Sequence, residues 1–181
     1  NNETYPSVNL SLDMLSLSSL ERQRKGNAND RFWVKGQLIS QNENQVENVY
    51  KIKLRAKGDR AIHVDDFERM SFKIDIRGKK RFLGLEEFSI QHPIVRNYGW
   101  EMLINSVARS EDLLAPDYKP VNLYFNGESR GIYMIEEGVG VEFLERRGRK
   151  AGPIFSIDEP LGSIFPNVYY EPYEASKISK H

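Results

Sequence analysis

The sequence contains no cysteine, which excludes disulfide bonds and thiolate metal sites. It has no excess of one charge either, since 26 Lys and Arg residues balance 26 Asp and Glu residues, whereas a dedicated nucleic-acid-binding protein usually carries a basic excess. No apolar run approaches the roughly 20 residues that a membrane-spanning helix needs. His63 and His92 have no metal-ligand partner at a useful spacing, which favours turn or surface positions for both.

What is present is typical of a globular domain. A chain of 181 residues with 39% hydrophobic and 29% charged residues is long enough to bury a core and suits one domain, or one domain with a small extension. There are no internal repeats and no heptads. The chain starts at Asn1 and shows no signal peptide, which fits a processed or excised piece.

Short segments that alternate apolar and polar residues predict half-buried strands. In the clearest of them, Phe72, Ile74 and Ile76 would face the core, while Lys73 and Asp75 would face the other side. The predicted strands of this kind are residues 8–12, 32–39, 50–56 and 71–76.

Two helices are predicted within the first 110 residues. Ser18 and Glu21 have the spacing of a capping box, so a short helix should run from there to about Lys25. Residues 94–109 are the best helix candidate, because apolar residues recur at helical spacing after Pro93, which suits a first helical turn.

A hairpin is predicted next. Residues 121–125 and 131–135 read as strands around the turn signal Asn126-Gly127, with a loop of about five residues, and residues 142–149 as a short helix. Strands, one long helix, a hairpin and a short helix in that order favour a mixed α+β fold.

These segments together resemble the spore-coat protein H (CotH) kinase family. The resemblance lies in residues 71–76 with 81–85, in the helix that contains Arg96, and in the hairpin that ends at Glu137. It continues through Phe143-Leu144 and residues 152–155, and covers about residues 50–158. The hairpin positions that match in order are Val121, Leu123, Asn126, Gly127, Gly131, Tyr133 and Glu137.

The resemblance implies a fold and a division of the chain. The expected fold is an atypical protein-kinase-like small lobe, α+β, with a mostly antiparallel sheet and one long helix. Residues 1–49 would be an N-terminal strand-helix-strand extension, and residues 50–158 the small lobe and hinge. Residues 159–181 would be a tail or the start of a large lobe.

The resemblance also implies ATP and Mg²⁺ as cofactors and points to candidate residues. Phosphoryl transfer needs a cation on the phosphates, usually held by a carboxylate. Lys73 is the first candidate for that cation, with Glu101 as its partner, and Arg55 and Lys57 are further candidates. Glu136 and Glu137, with Gly138, would lie where adenine binds. The alternatives are structural: a solvated lysine, a surface glutamate on the helix, a capping or paired Glu137, and a plain turn at Asn126-Gly127.

The family's catalytic and metal-binding Asp residues lie further downstream, and residues 158–181 offer no match for them. Ser156 stands where the family usually has a Lys. The sequence therefore predicts part of an atypical kinase that phosphorylates protein Ser or Thr, with no catalytic or metal residue in this piece. The alternatives are a non-catalytic surface or coat-assembly module, and a kinase-like protein that transfers another group from ATP.

Expected partners are a protein substrate or a coat or surface protein, with no nucleic acid and no membrane span. The expected location is extracellular or at the cell or spore surface.

Overall fold

A computed structural model describes residues 5–25, 31–41, 46–58, 66–158 and 169–173. The chain divides into two compact units, Asn1–Glu137 and Gly138–His181. The prediction for His63, and those for most of the tail, lie outside the described residues. The domain boundaries drawn from the sequence stay predictions.

Among the described residues of the first unit, there are seven strands and two α-helices. The helices are α1 (Met14–Lys25) and α2 (Trp100–Ser110). The strands are β1 (Ser7–Ser11), β2 (Val34–Gln41), β3 (Glu47–Ala56), β4 (Phe72–Ile76), β5 (Glu87–Gln91), β6 (Tyr118–Phe125) and β7 (Glu128–Glu137). The second unit contains α3 (Val141–Glu145) and an antiparallel pair of strands, β8 (Ile154–Asp158) and β9 (Tyr169–Tyr173).

The seven strands of the first unit form a closed barrel in the order β1-β2-β3-β4-β5-β7-β6. Neighbouring strands are antiparallel except at the closure, where β1 pairs with β6 in parallel. Closure removes the exposed strand edges that an open sheet would present. The interior is filled by alternate residues of every strand, among them the fully buried Leu54, Ile74 and Ile90.

The fold class predicted from the sequence is wrong. The structure is a mixed, closed barrel of seven strands with few short helices, not a kinase-like α+β small lobe. Two strands from the first 49 residues, β1 and β2, complete the barrel. The parallel contact that closes it joins Val8 to Leu123, and a pairing over that separation leaves no local pattern in the sequence.

The long helix predicted over residues 94–109 is also divided. A 3₁₀ segment, Pro93–Gly99, precedes α2, which has 11 residues. Asn97, Tyr98 and Gly99 have positive φ angles of 51°, 53° and 104°, which an α-helix does not tolerate. None of the residues of α2 is buried, so its apolar residues do not form the expected core-facing stripe.

The predicted hairpin exists, but its loop is shorter than expected. Asn126 and Gly127 alone connect β6 to β7, with φ angles of 50° and 84°. Positive φ at both central residues is the geometry that Asn-Gly favours in a two-residue turn. Arg130 is an extra residue opposite the step from Leu123 to Tyr124, so the bulge that follows the turn accounts for the longer predicted loop.

Asn126 also connects the hairpin to the start of the chain, because its Oδ1 accepts a hydrogen bond of 2.7 Å from the Leu12 N–H. Replacing it by glycine keeps the positive φ but leaves this partly buried N–H without its acceptor. We expect Asn126→Gly to lower the free energy of unfolding by about 1–2 kcal/mol, measured by urea denaturation. Asn126→Asp keeps an oxygen acceptor and tolerates the same φ, so a loss as large as that of the glycine variant would contradict this account.

Candidate functional site

The candidate site lies on the outer face of the barrel, across β3, β4, β5, β7 and β6. Arg55 is opposite Lys73 in the strand register, and Lys73 is opposite Ser89. Ser89 is in turn opposite Glu136, and Glu136 is opposite Tyr118. Directly opposed residues in antiparallel strands share a face. The residues that alternate with them, such as Phe72 and Ile74, fill the core, so this row points away from it.

Glu136 is the centre of this site, because both oxygens of its carboxylate accept hydrogen bonds. Oε2 receives the Lys57 ammonium, in an ion pair, and the Nε2 of Gln91. Oε1 receives the Tyr118 hydroxyl at 2.8 Å. Gln91 is fully buried, and the Glu136 side chain is only 14% exposed. The carboxylate is therefore held in one orientation by side chains from two strands, β5 and β6, and from the residue that follows β3.

Hydrogen bonds fix the backbone where β3 ends and Lys57 follows. The Lys57 N–H donates to the Ser71 carbonyl at 2.9 Å. One residue earlier, the Ala56 N–H donates to Oε1 of Gln23 on α1 at 3.2 Å, and Gln23 Nε2 donates to the Phe32 carbonyl at 2.8 Å. Gln23 is a buried polar residue, so its amide fastens α1 and the end of β3 together. The Lys57 side chain thus extends from a backbone that these hydrogen bonds hold in place.

Lys73, the first candidate from the sequence, lies on the same face but has a different carboxylate partner from the one predicted. Its Nζ is 2.6 Å from Oε1 of Glu87, on the adjacent strand β5. The Arg55 guanidinium lies 5.3 Å from the ring centroid of Trp33, in a cation–π contact. Lys57, Lys73 and Arg55 therefore share one face, and of the three Lys57 is the one that pairs with Glu136.

The two remaining candidates are Glu137, which lies on the opposite side of β7 from Glu136, and Glu101, which lies on α2. Glu137 alternates with Glu136 on β7 and is buried with the core-facing residues, and its Oε2 accepts from the Asp117 N–H at 3.1 Å. Its own N–H donates to the Asp117 carbonyl at 2.9 Å. Glu101 lies in the first turn of α2, where its carbonyl accepts from Asn105. The nucleotide-binding roles assigned to these residues stay predictions.

His92 follows Gln91 and begins the 3₁₀ segment. Its Nδ1 accepts a hydrogen bond of 3.2 Å from the Ile94 N–H, which only an unprotonated nitrogen can do. Burial lowers the pKa of His92, and the nearby Arg69 lowers it further. The imidazole is therefore neutral at pH 7 and acts as a cap, as the sequence predicted for a turn residue.

The arrangement suits anion binding by a positioned cation. An ammonium has three N–H donors, so a lysine can pair with a carboxylate and also contact a phosphate oxygen. A Lys–Glu ion pair is the device by which kinases position such a lysine. The chemistry of Lys57 and Glu136 thus fits the phosphates of ATP. Among the described residues, no group of three or more His, Cys, Asp or Glu side chains could hold a metal ion.

Sequence reasoning missed Gln23, Gln91 and Tyr118. Gln91 belongs to β5, whose sequence alternates polar and apolar residues, a strand signal that was not used in the prediction. Ser89 and Gln91 are polar but buried, which indicates that other groups pack over the outer face of β5.

Among the described residues, no helix is long and apolar enough to cross a membrane. A search of curated proteins gives no match to the chain. The family model described as CotH kinase protein matches residues 54–180, which is well over half of the chain and confirms the resemblance found in the sequence. The chain therefore belongs to the CotH kinase protein family.

Proposed function

We propose that this chain is the nucleotide-binding part of a CotH-family phosphotransferase that moves a phosphoryl group from ATP to a protein Ser or Thr. The observation that carries the proposal is the ion pair between Lys57 and Glu136, held by Gln91 and Tyr118. Family membership supports the same reading.

In this proposal each residue has a separate task. Lys57 contacts a phosphate oxygen and offsets its negative charge. Glu136 orients Lys57, while Gln91 and Tyr118 fix Glu136. ATP, when bound, supplies the phosphoryl group. Because phosphoryl transfer depends mainly on positioning and charge neutralisation, a fixed lysine is a contribution that this part of the protein can make.

The experiment that tests the proposal is a calorimetric titration of Mg-ATP into the chain, followed by the same titration of Lys73→Met. We expect micromolar binding by the native chain. We expect Lys73→Met to weaken it by less than about fivefold, because Glu87 already neutralises Lys73 at a surface where ion pairs contribute little. The absence of binding heat from folded protein would contradict the proposal.

A specific observation favours a second candidate, a non-catalytic binding module. The segment from Tyr98 to Leu114 exposes a large apolar surface, including Trp100 at 64% and Ile104 at 62%. Exposed apolar patches of this kind mark interaction surfaces. In either case, we propose a location outside the cell or at the cell or spore surface, on the basis of the family alone.

A further inference from the structure

A run of cations follows β3 on the outer face of the barrel. Lys51, Lys53 and Arg55 alternate with Ile52 and Leu54, which are buried, so the three cations point away from the core. Lys35 on β2 is directly opposite Lys53. We call Lys35, Lys51, Lys53 and Arg55 the basic row.

The basic row carries more positive charge than the carboxylates around it balance, although Asp75 lies directly opposite Lys53 and forms its ion pair with Arg77. In the part of the chain that the structure describes, no carboxylate forms an ion pair with Lys35, Lys51 or Lys53. Arg55 has an aromatic partner, Trp33, instead of a carboxylate. Because the whole chain has zero formal net charge, this surplus is a property of one face and not of the composition.

Two cross-strand pairs of the basic row join like charges, while a third, Lys53 with Asp75, joins opposite charges. Lys35 is opposite Lys53, and Arg55 is opposite Lys73. Like charges directly opposite each other in antiparallel strands destabilise a sheet. A face that has surplus positive charge and directly opposed cations is typical of a surface that binds an external anion.

The dimensions of the basic row favour an extended chain over a small anion. Alternate residues of a strand are about 6.7 Å apart, so Lys51 to Arg55 spans about 13 Å. An extended polypeptide with acidic residues at every second position repeats at the same distance. β3 is paired on both sides, by β2 and β4, so recognition has to use side chains and not strand addition. Lys57, two residues beyond Arg55, connects the basic row to the candidate site.

From this geometry we infer that the basic row binds an extended acidic segment of a protein, with carboxylates at alternate positions, beside the Lys57–Glu136 site. If the acidic segment is the phosphoryl acceptor, the inference rests on the proposed function. Binding of the acidic segment can be measured without nucleotide, so the inference and the proposed function can fail separately.

The test is fluorescence anisotropy of the whole chain with a labelled peptide of alternating Glu and Ser. We expect binding that weakens as salt is added, since exposed charge pairs are screened. The double variant Lys51→Gln with Lys53→Gln should bind about fivefold to tenfold more weakly. The control is Arg22→Gln with Lys119→Gln, which removes the same charge from α1 and β6 and should leave binding unchanged.

Three results would overturn the inference. One is an equal loss in the control variant, which would make the effect one of net charge only. Another is equal or tighter binding of an alternating Lys and Ser peptide, or no peptide binding by folded protein. The third is tighter binding of a single-stranded oligothymidylate, which would make the partner a nucleic acid. A chain that binds Mg-ATP but not the acidic peptide would lose this inference and keep the proposed function.

Discussion

Replacing Lys57 by methionine is expected to weaken Mg-ATP binding by about 100-fold, the largest effect of any single change at the site. The physical reason is that Lys57 is the cation of the candidate site that pairs with Glu136, whose two oxygens are both bound by other residues. Methionine preserves most of the length and apolar volume of the stem but removes the charge. Hydrogen bonds to a charged group contribute about 1.5–3 kcal/mol, which corresponds to a loss of this size.

The controls separate a lost contact from a lost fold. Lys73→Met removes a cation from the same face and should have a small effect, since Lys73 pairs with Glu87. Lys57→Arg keeps the charge with a different shape and should retain part of the affinity. Both tryptophans, Trp33 and Trp100, belong to the first unit, so their fluorescence reports whether each variant is folded there. A folded Lys57→Met chain with native affinity would remove Lys57 from the site.

Replacing Glu136 by alanine is expected to lower the free energy of unfolding by about 3 kcal/mol, measured by urea denaturation. The substitution removes the acceptor of three donors at once, and one of them belongs to Gln91, which is fully buried. The Lys57 side chain, 25% exposed, would keep its charge without this carboxylate. Breaking a largely buried pair from one side costs far more than the pair contributes, because the remaining charge and donors lose their partner.

Glu87→Ala is the matched control for this prediction. It also removes a glutamate that pairs with a lysine on the same face, but the Glu87 side chain is 41% exposed. Exposed ion pairs contribute at most about 1 kcal/mol, so the control should lose much less stability than Glu136→Ala. If Glu136→Ala lowered the free energy of unfolding no more than Glu87→Ala does, the network around Glu136 would not be a stabilising one.

The elements that could be predicted from the sequence are those whose pattern is local. Strands β3 and β4 alternate buried and exposed residues, and the Asn-Gly turn carries its own signal in the positive φ of both residues. The family could also be recognised, because ordered short motifs over about 100 residues carry information that no single motif does. The same alternation placed Lys73 on the outer face, whereas Arg55 and Lys57 became candidates through the family resemblance.

The predictions that failed were those that depend on contacts between residues distant in the sequence. The barrel closes through a parallel pairing of β1 with β6, which no local pattern in the sequence predicts. The partner of Lys57 is 79 residues away, and the choice of Glu136 over Glu137 depends on which of two adjacent residues points outward.

By itself, the sequence determined the family, most strands and the turn at Asn126-Gly127. Only the tertiary structure decided that the strands close into a barrel, that Lys73 pairs with Glu87, and that Lys57 pairs with Glu136. The physical reason is that backbone conformation and side-chain alternation are set by neighbouring residues, whereas a charge pair is set by strand register and by which groups become buried together.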